Sequence, residues 1–164
     1  MNEIIQMLKN EFPSVNSEIC KELGVYISLG KIKERDYIVL KIDNCISMSR
    51  EFSEKKCDCI IIFIEENKFY ISIVELKKTA RIERNFQEKF LNCYEKFVAY
   101  LKSKEIVLRF RTHFVIVKEK VDGMFTKFLG SINNRFTIDG KPKEIMILQS
   151  GACLWDEYQK ILIL

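Results

Sequence analysis

Two short apolar runs, separated by four polar residues, constrain the fold of this chain more than any other feature. The first run, CIIIFI at 59–64, is rich in β-branched residues and is too short to indicate a helix. The second run, FYISIV at 69–74, follows the polar segment EENK at 65–68. The two runs therefore predict a buried β-hairpin with a turn at EENK.

The remaining segments predict helices and strands around this hairpin. A short helix is expected in FPSVNSEICKELG at 12–24, where Ser14 or Asn16 can cap the start and Gly24 can end it. An amphipathic helix is expected within 81–104, because apolar residues recur there at helical spacing. Further strands are expected at 25–30, 35–45, 105–119 and 143–150, a helix at 122–132, and a helix or strand at 154–164. The core order taken from these segments is α-β-β-β-α-β, which indicates an α/β protein with a mixed sheet flanked by helices.

Size and composition indicate one ordinary globular domain. The chain has 164 residues, of which 48% are hydrophobic and 30% charged, and no low-complexity linker divides it. It contains no run of 18 apolar residues, and its start lacks an apolar signal core, so we expect a cytoplasmic protein without a membrane partner. The net charge of +4 permits a nucleic-acid partner without requiring one.

The cysteines and the single histidine carry a weaker signal. In an intracellular chain, the six cysteines are expected to be reduced thiols. If CDC at 57–59 begins a strand, Cys57 and Cys59 share one face, and buried packing is favoured over a zinc or iron–sulfur site. His113 has no second histidine to pair with, so a structural role is favoured over catalysis.

Charged residues interrupt the hairpin where a core strand should exclude them. Asp58 begins the first strand, and Glu75 and Lys77 end the second. Because the strands are antiparallel, these positions fall at the same edge of the sheet, and the period of two places Glu75 and Lys77 on one face. A partly buried carboxylate needs a partner, and a hard cation such as Mg²⁺ relieves the repulsion between two of them. Such a cation can polarise a phosphodiester, while Lys77 can orient water or stabilise developing charge.

This arrangement resembles the PD-(D/E)xK nuclease superfamily, which has the restriction-endonuclease-like fold. The resemblance covers about residues 14–118, leaving about 119–164 as a C-terminal extension of a single domain, and Cys57 stands where the family has proline. It implies a Mg²⁺- or Mn²⁺-dependent nuclease acting on DNA, with Asp58 and Glu75 as metal ligands and Lys77 as the catalytic lysine. It also implies a glutamate on the first helix that faces the metal, for which Glu18 is favoured over Glu22 and Glu11. Some members of the family have a glutamine on the helix after the lysine, and Gln87 is a candidate for it. A hydrogen-bonding role at the boundary of the core fits Gln87 equally well.

Basic residues near the site suggest where a phosphate backbone could bind. Phosphate contacts are expected from residues past the lysine and on the following strand: Lys78, Arg81, Arg84, Arg109 and Arg111. A homodimer or a larger protein complex is compatible with this interpretation. Two alternatives stay open: a non-catalytic nucleic-acid-binding or scaffold protein that keeps the fold, and a thiol or iron–sulfur protein built on the cysteines.

Overall fold

A mixed five-stranded sheet forms the centre of the protein. The structure is a computed structural model, and it describes residues 2–12, 19–30, 32–33, 36–42, 56–65, 68–78, 86–107, 109–123, 127, 130, 136–138, 140–143 and 145–162. Its helices are α1 (Asn2–Glu11), α2 (Phe86–Ser103) and α3 (Leu154–Leu162). Its strands are β1 (Cys20–Glu22), β2 (Val25–Ile27), β3 (Tyr37–Lys41), β4 (Cys59–Glu65), β5 (Lys68–Lys77), β6 (Phe110–Lys118), β7 (Thr137–Ile138), β8 (Lys141–Pro142) and β9 (Ile145–Gln149).

The strands of the central sheet follow the order β3-β4-β5-β6-β9. Strands β3, β4 and β5 pair antiparallel, whereas β5, β6 and β9 run parallel to one another. The predicted hairpin is confirmed as β4–β5, and the amphipathic helix is confirmed as α2. Because β9 pairs with β6, the C-terminal part of the chain completes the sheet.

Apolar side chains cover both faces of the sheet, which gives three layers. On one face, Ile5 and Leu8 of α1 and Phe90 and Phe97 of α2 pack against the sheet. On the other face, the β1–β2 hairpin packs through Val25 and Ile27, and α3 packs through Leu154 and Tyr158. Strand β5 is covered on both sides, so nearly all of its residues are buried.

The first helix differs from the prediction. The helix lies at Asn2–Glu11, whereas Cys20–Glu22 form strand β1 of a hairpin, and residues 13–18 lie outside the described part of the chain. Leu23 and Gly24 both have positive φ angles, 47° and 89°, between the paired residues Glu22 and Val25. Two residues with positive φ form the tight turn that a two-residue hairpin needs, so Gly24 turns a hairpin instead of ending a helix.

Two further predicted elements, at 122–132 and 154–164, lie in the C-terminal part of the chain. The segment 154–164, predicted as a helix or a strand, forms helix α3 up to Leu162, and the helix predicted at 122–132 lies mostly outside the described residues. No helix in the described part of the chain is both long and apolar enough to cross a membrane.

Candidate active site at the end of the β4–β5 hairpin

The hairpin brings Asp58 to the end of β5, as the sequence predicts. Cys59 pairs with Val74, and the Asp58 amide donates a hydrogen bond to the Val74 carbonyl at 3.1 Å. The Asp58 carboxylate in turn accepts a hydrogen bond from the Leu76 amide at 2.5 Å. Asp58 is therefore fixed to the strand that carries Glu75, through backbone contacts on both sides of that residue.

Glu75 is a buried carboxylate with one paired and one unpaired oxygen. Its exposed fraction is 1%, and its Oε1 contacts the ammonium groups of Lys77 at 2.7 Å and Lys89 at 2.8 Å. Its Oε2 is also buried and has no hydrogen-bond partner among the described residues. A buried carboxylate oxygen without a partner is unfavourable, and it marks a position where a cation or a donor would be stabilised.

The electrostatics of Asp58 reflect the neighbouring acids. The pKa of Asp58 is raised from 3.8 to about 8, mainly by burial and next by the negative charge of Glu75. The hydrogen bond from the Leu76 amide opposes the shift, and the carboxylate of Glu22 adds to it. The ionised form of Asp58 is thus disfavoured, first because the carboxyl group is largely buried and second because two other carboxylates act on it.

A third carboxylate at this site comes from the β1–β2 hairpin. Glu22 acts on Asp58 both through its charge and through a side-chain hydrogen bond, and Glu22 itself is exposed. Glu18, the favoured choice from the sequence, lies outside the described residues. Glu11 pairs with Lys104 instead, and this contact lowers the pKa of Glu11. Of Glu11 and Glu22, the two of these glutamates that the structure describes, Glu22 is the one that acts on Asp58.

Two carboxylates of the candidate site are of the ligand type that a hard divalent cation prefers. Asp58 and Glu75 supply carboxylate oxygens, which suit Mg²⁺ and Mn²⁺, and Oε2 of Glu75 has no hydrogen-bond partner among the described residues. In the described ranges, no group of three or more His, Cys, Asp or Glu side chains is arranged so that it could hold a metal ion. The ammonium groups of Lys77 and Lys89 both pair with Oε1 of Glu75 and offset its negative charge.

The predicted phosphate-binding residues fall into three groups. Lys78 is exposed directly after β5, and Gln87 is half-buried in the first turn of α2. Arg81 and Arg84 lie outside the described residues.

Arg109 and Arg111 are exposed at the opposite end of β6, where Arg111 pairs in register with Tyr70. Arg111 precedes Lys118 by seven residues, which corresponds to about 23 Å of strand. The two arginines therefore cannot contact the phosphate that Lys77 would contact.

Two lysines at the site were not singled out from the sequence. Lys89 of α2 binds Glu75, and its spacing of three residues from Phe86 places it next to the buried face of the helix. Lys118 is 3% exposed, pairs in register with Lys77, and binds Asp122 at 2.9 Å. The signal for Lys118 was the run FVIVK, in which a lysine ends a buried strand as Lys77 does.

The cysteines contradict the prediction of reduced thiols in one pair. Cys20 and Cys59 form a disulfide between β1 and β4. Cys57 and Cys59 face opposite sides of the sheet, because Asp58 forms a bend and β4 begins only at Cys59. Cys57 instead packs beside Cys93 of α2, whose sulfur accepts a hydrogen bond from the Cys57 amide at 2.7 Å, and burial raises the pKa of the Cys57 thiol well above its usual value.

His113 lies among aromatic rings on the face of the sheet opposite Glu75. Its ring centroid is 4.3 Å from that of Tyr158 and 6.2 Å from that of Tyr70. Burial lowers the pKa of His113 to about 4, and the positive charges of Arg111 and Lys143 act in the same direction. This packing is in keeping with a structural role.

Comparison with protein families, with curated proteins and with solved structures finds no match for this chain. The functional argument therefore rests on the residues and geometry at the end of the β4–β5 hairpin.

Proposed function

We propose that this protein is a metal-dependent phosphodiesterase that acts on DNA, with a site of the PD-(D/E)xK type. The observation that carries the proposal is the buried Glu75, whose unpaired Oε2 lies in the same acidic cluster as Asp58 and whose other oxygen binds Lys77. Acids at a sheet edge are common, but a buried carboxylate oxygen that has no partner among the described residues is unfavourable, and a cation bound there would relieve this. A divalent cation and a phosphate oxygen together would provide that compensation.

Each of the three side chains has a defined part in the proposed chemistry. Asp58 and Glu75 would hold Mg²⁺ or Mn²⁺, which when bound would polarise the phosphodiester and activate water. Lys77, whose ammonium lies 2.7 Å from Glu75 Oε1 and is about one-fifth exposed, can orient that water or stabilise negative charge on the phosphate. The backbone contacts of Asp58 fix one carboxylate before any ligand arrives, which favours a preorganised site.

The order of elements supports the same proposal. The chain runs α1, β3, β4, β5, α2 and β6, with the small β1–β2 hairpin inserted after α1. This is the α-β-β-β-α-β order that the resemblance implies, and the sheet is mixed, as it also implies. The acids lie at the carboxyl end of β5, beside the carboxyl end of the parallel strand β6. Ligand sites in open α/β sheets lie at this end of the strands.

A second candidate is a non-catalytic nucleic-acid-binding or scaffold protein with the same fold. The observation that favours it is the double pairing of Glu75 Oε1 with Lys77 and Lys89, which neutralises that carboxylate without metal. Under this alternative, Mn²⁺ should leave the melting temperature unchanged. Under the proposed function, Mn²⁺ should raise it, because a ligand that binds only the native state stabilises that state.

Cleavage assays with matched variants test the proposed function. Supercoiled, linear duplex and single-stranded DNA are incubated with Mg²⁺ or Mn²⁺ and the wild type, Asp58→Asn, Glu75→Gln or Lys77→Met. At least one DNA form should be cut by the wild type, and all three variants should lose at least about 100-fold in rate, the loss typical of removing a catalytic group. Lys68→Met, an exposed lysine at the other end of β5, is the control and should retain the activity. Undiminished cleavage by Asp58→Asn and Glu75→Gln would show that these residues do not form the active site.

A further inference from the structure

A buried lysine lies next to the candidate site on the neighbouring strand. Lys118 is 3% exposed and ends β6, where it pairs in register with Lys77 of β5. Neighbouring strands lie about 4.8 Å apart, so the backbones of the two lysines are close together. A lysine is rarely this buried unless its charge is compensated, so the groups around Lys118 indicate what it can bind.

The side chain of Lys118 lies on the same face of the sheet as Glu75 and Lys77. Ile116 of β6 and Ile73 of β5 both belong to the core between the sheet and helices α1 and α2. Because side chains alternate along a strand, Lys118 and Glu75, each two residues further on, lie on that face as well. The ion pair with Glu75 places the Lys77 ammonium there too. Lys118 therefore belongs to the face that carries the candidate site.

Backbone hydrogen bonds hold the base of Lys118 on both sides. The Glu119 amide donates to the Lys77 carbonyl at 3.2 Å, and the Ser150 amide donates to the Lys118 carbonyl at 2.8 Å. The position of Lys118 is thus set by three adjacent strands, β5, β6 and β9. A group on such a rigid element can bind a ligand with little loss of conformational freedom.

The ammonium of Lys118 binds a carboxylate that is exposed to solvent. Its Nζ donates to Oδ2 of Asp122 at 2.9 Å, and the two side chains are 4% and 53% exposed, respectively. Asp122 follows β6 in the segment 119–123, whose residues are all exposed. An ion pair with one well-exposed partner gains little stability, so another anion can take the place of that partner.

We propose that Lys118 is a phosphate-binding residue of the candidate site, and that Asp122 competes with the phosphate for the Lys118 ammonium. A backbone phosphate of DNA displaces the Asp122 carboxylate and accepts the hydrogen bond that this carboxylate accepts in the free protein. Lys77 and Lys118, side by side on one face, then bind the same stretch of the DNA backbone. This inference rests on the proposed function, because the phosphate belongs to DNA bound at the same site.

DNA binding in EDTA tests the inference separately from cleavage. Fluorescence anisotropy with a short labelled duplex and a labelled single strand gives the affinity across a series of NaCl concentrations. The proteins compared are the wild type, Lys118→Met, Asp122→Asn and the double variant. Lys68→Met, at the other end of β5, is the control for the lysine, and Glu119→Gln, at an exposed acid of the same segment, is the control for Asp122.

The two single variants should change the affinity in opposite directions. Lys118→Met should bind about 10-fold more weakly, the scale of one charge-assisted hydrogen bond. Its affinity for the duplex should also depend less on salt, with a log–log slope smaller by about 1, because one phosphate contact is lost. A role in packing alone would not change this slope. Asp122→Asn should bind about 2- to 5-fold more tightly, because the competing carboxylate is removed.

The controls and the double variant show whether Asp122 acts through Lys118. Lys68→Met should bind as the wild type does, and Glu119→Gln should change the affinity less than Asp122→Asn. In the Lys118→Met background, Asp122→Asn should no longer tighten binding. An unchanged affinity and slope in Lys118→Met would overturn the inference, as would an equal gain from Asp122→Asn in both backgrounds. If Lys118→Met does not fold, the absence of a gain in Asp122→Asn overturns it.

Failure of the inference and failure of the proposed function give different results. DNA binding that is equal in the wild type and the variants overturns the inference alone. DNA binding that depends on Lys118, without cleavage in Mg²⁺ or Mn²⁺, removes the catalytic part of the proposed function and supports the inference. A wild type that binds neither probe, in EDTA or with Ca²⁺, overturns both.

Discussion

Replacing Asp58 by asparagine should stabilise the metal-free protein at alkaline pH. The side chain is partly buried beside Glu75, and its pKa is raised to about 8. Asparagine has nearly the same shape, and its carbonyl oxygen can still accept the hydrogen bond from the Leu76 amide. The substitution therefore removes the unfavourable charge and keeps the local contacts.

The direction of the pH dependence follows from the two pKa values of Asp58. The folded protein holds its proton up to about pH 8, whereas the ordinary value of 3.8 applies to the unfolded chain. Between these values the folded state binds more protons, so its stability decreases as the pH rises and is constant again above the folded pKa. A shift of about four pKa units sets an upper limit of about 6 kcal/mol on this loss. Because the site is only partly buried, solvent reduces the effect, and about 2–4 kcal/mol is expected.

Urea unfolding in EDTA at about pH 4 and about pH 9 measures this effect. The difference in unfolding free energy between Asp58→Asn and the wild type should be small at the lower pH and should favour the variant at the higher pH. Asp156→Asn, at an exposed aspartate in the first turn of α3, is the matched control and should not become more stable than the wild type. If Asp58→Asn is less stable than the wild type at about pH 9 without metal, the argument that Asp58 is held in an unfavourable charged state is refuted.

Substitutions at three further places test the packing and charge around the sheet. The pKa of His113 is lowered to about 4, so the free energy of unfolding of the wild type should fall as the pH is lowered from 6.5 through 4. His113→Phe should lose less unfolding free energy over the same pH range, as measured by urea unfolding. The Tyr158 hydroxyl shares a buried 2.6 Å hydrogen bond with Ser72, so Tyr158→Phe should cost about 1–3 kcal/mol, and adding Ser72→Ala should recover part of this in a double-mutant cycle. Lys89→Met removes one partner of buried Glu75 and should lower the unfolding free energy in EDTA by about 1–3 kcal/mol; an unchanged value would show that the ion pair contributes nothing.

The sequence predicts the centre of the fold well because the relevant signals are local. The apolar runs of β4 and β5 and the polar turn between them specify the hairpin, and the period of two then places Glu75 and Lys77 on one face. The position of Asp58 next to Glu75 can be predicted in the same way, since the start of one strand lies beside the end of its antiparallel partner. These three residues therefore come together by rules that a single sequence contains.

The position of the first helix differs from the prediction because two neighbouring segments both carry helix signals. Ile5, Leu8 and Phe12 are spaced by three and four residues, which is the helical pattern realised in α1. The segment 12–24 also predicts a helix, because Ser14 or Asn16 can cap its start and Gly24 stands where a helix can end. A leucine with positive φ is rare, so the tight turn at Leu23 and Gly24 has little signal in the sequence.

The contacts made over long distances in sequence could not be predicted from one chain. The disulfide joins residues separated by 39 positions, and pairings among six cysteines cannot be deduced from spacing. Lys89 reaches Glu75 only because α2 packs over the end of β5, and Lys118 lies beside Lys77 only because β6 is parallel to β5. Each of these residues depends on tertiary packing, which periodicity alone does not specify.

A crystal structure of the oxidised protein soaked with Mn²⁺ tests the central claim most directly. The account predicts anomalous density in contact with carboxylate oxygens of both Asp58 and Glu75, and predicts its loss in Glu75→Gln crystals treated in the same way. Well-ordered crystals at millimolar Mn²⁺ that show no density between these two residues, with Glu75 still bound only to Lys77 and Lys89, would contradict the account.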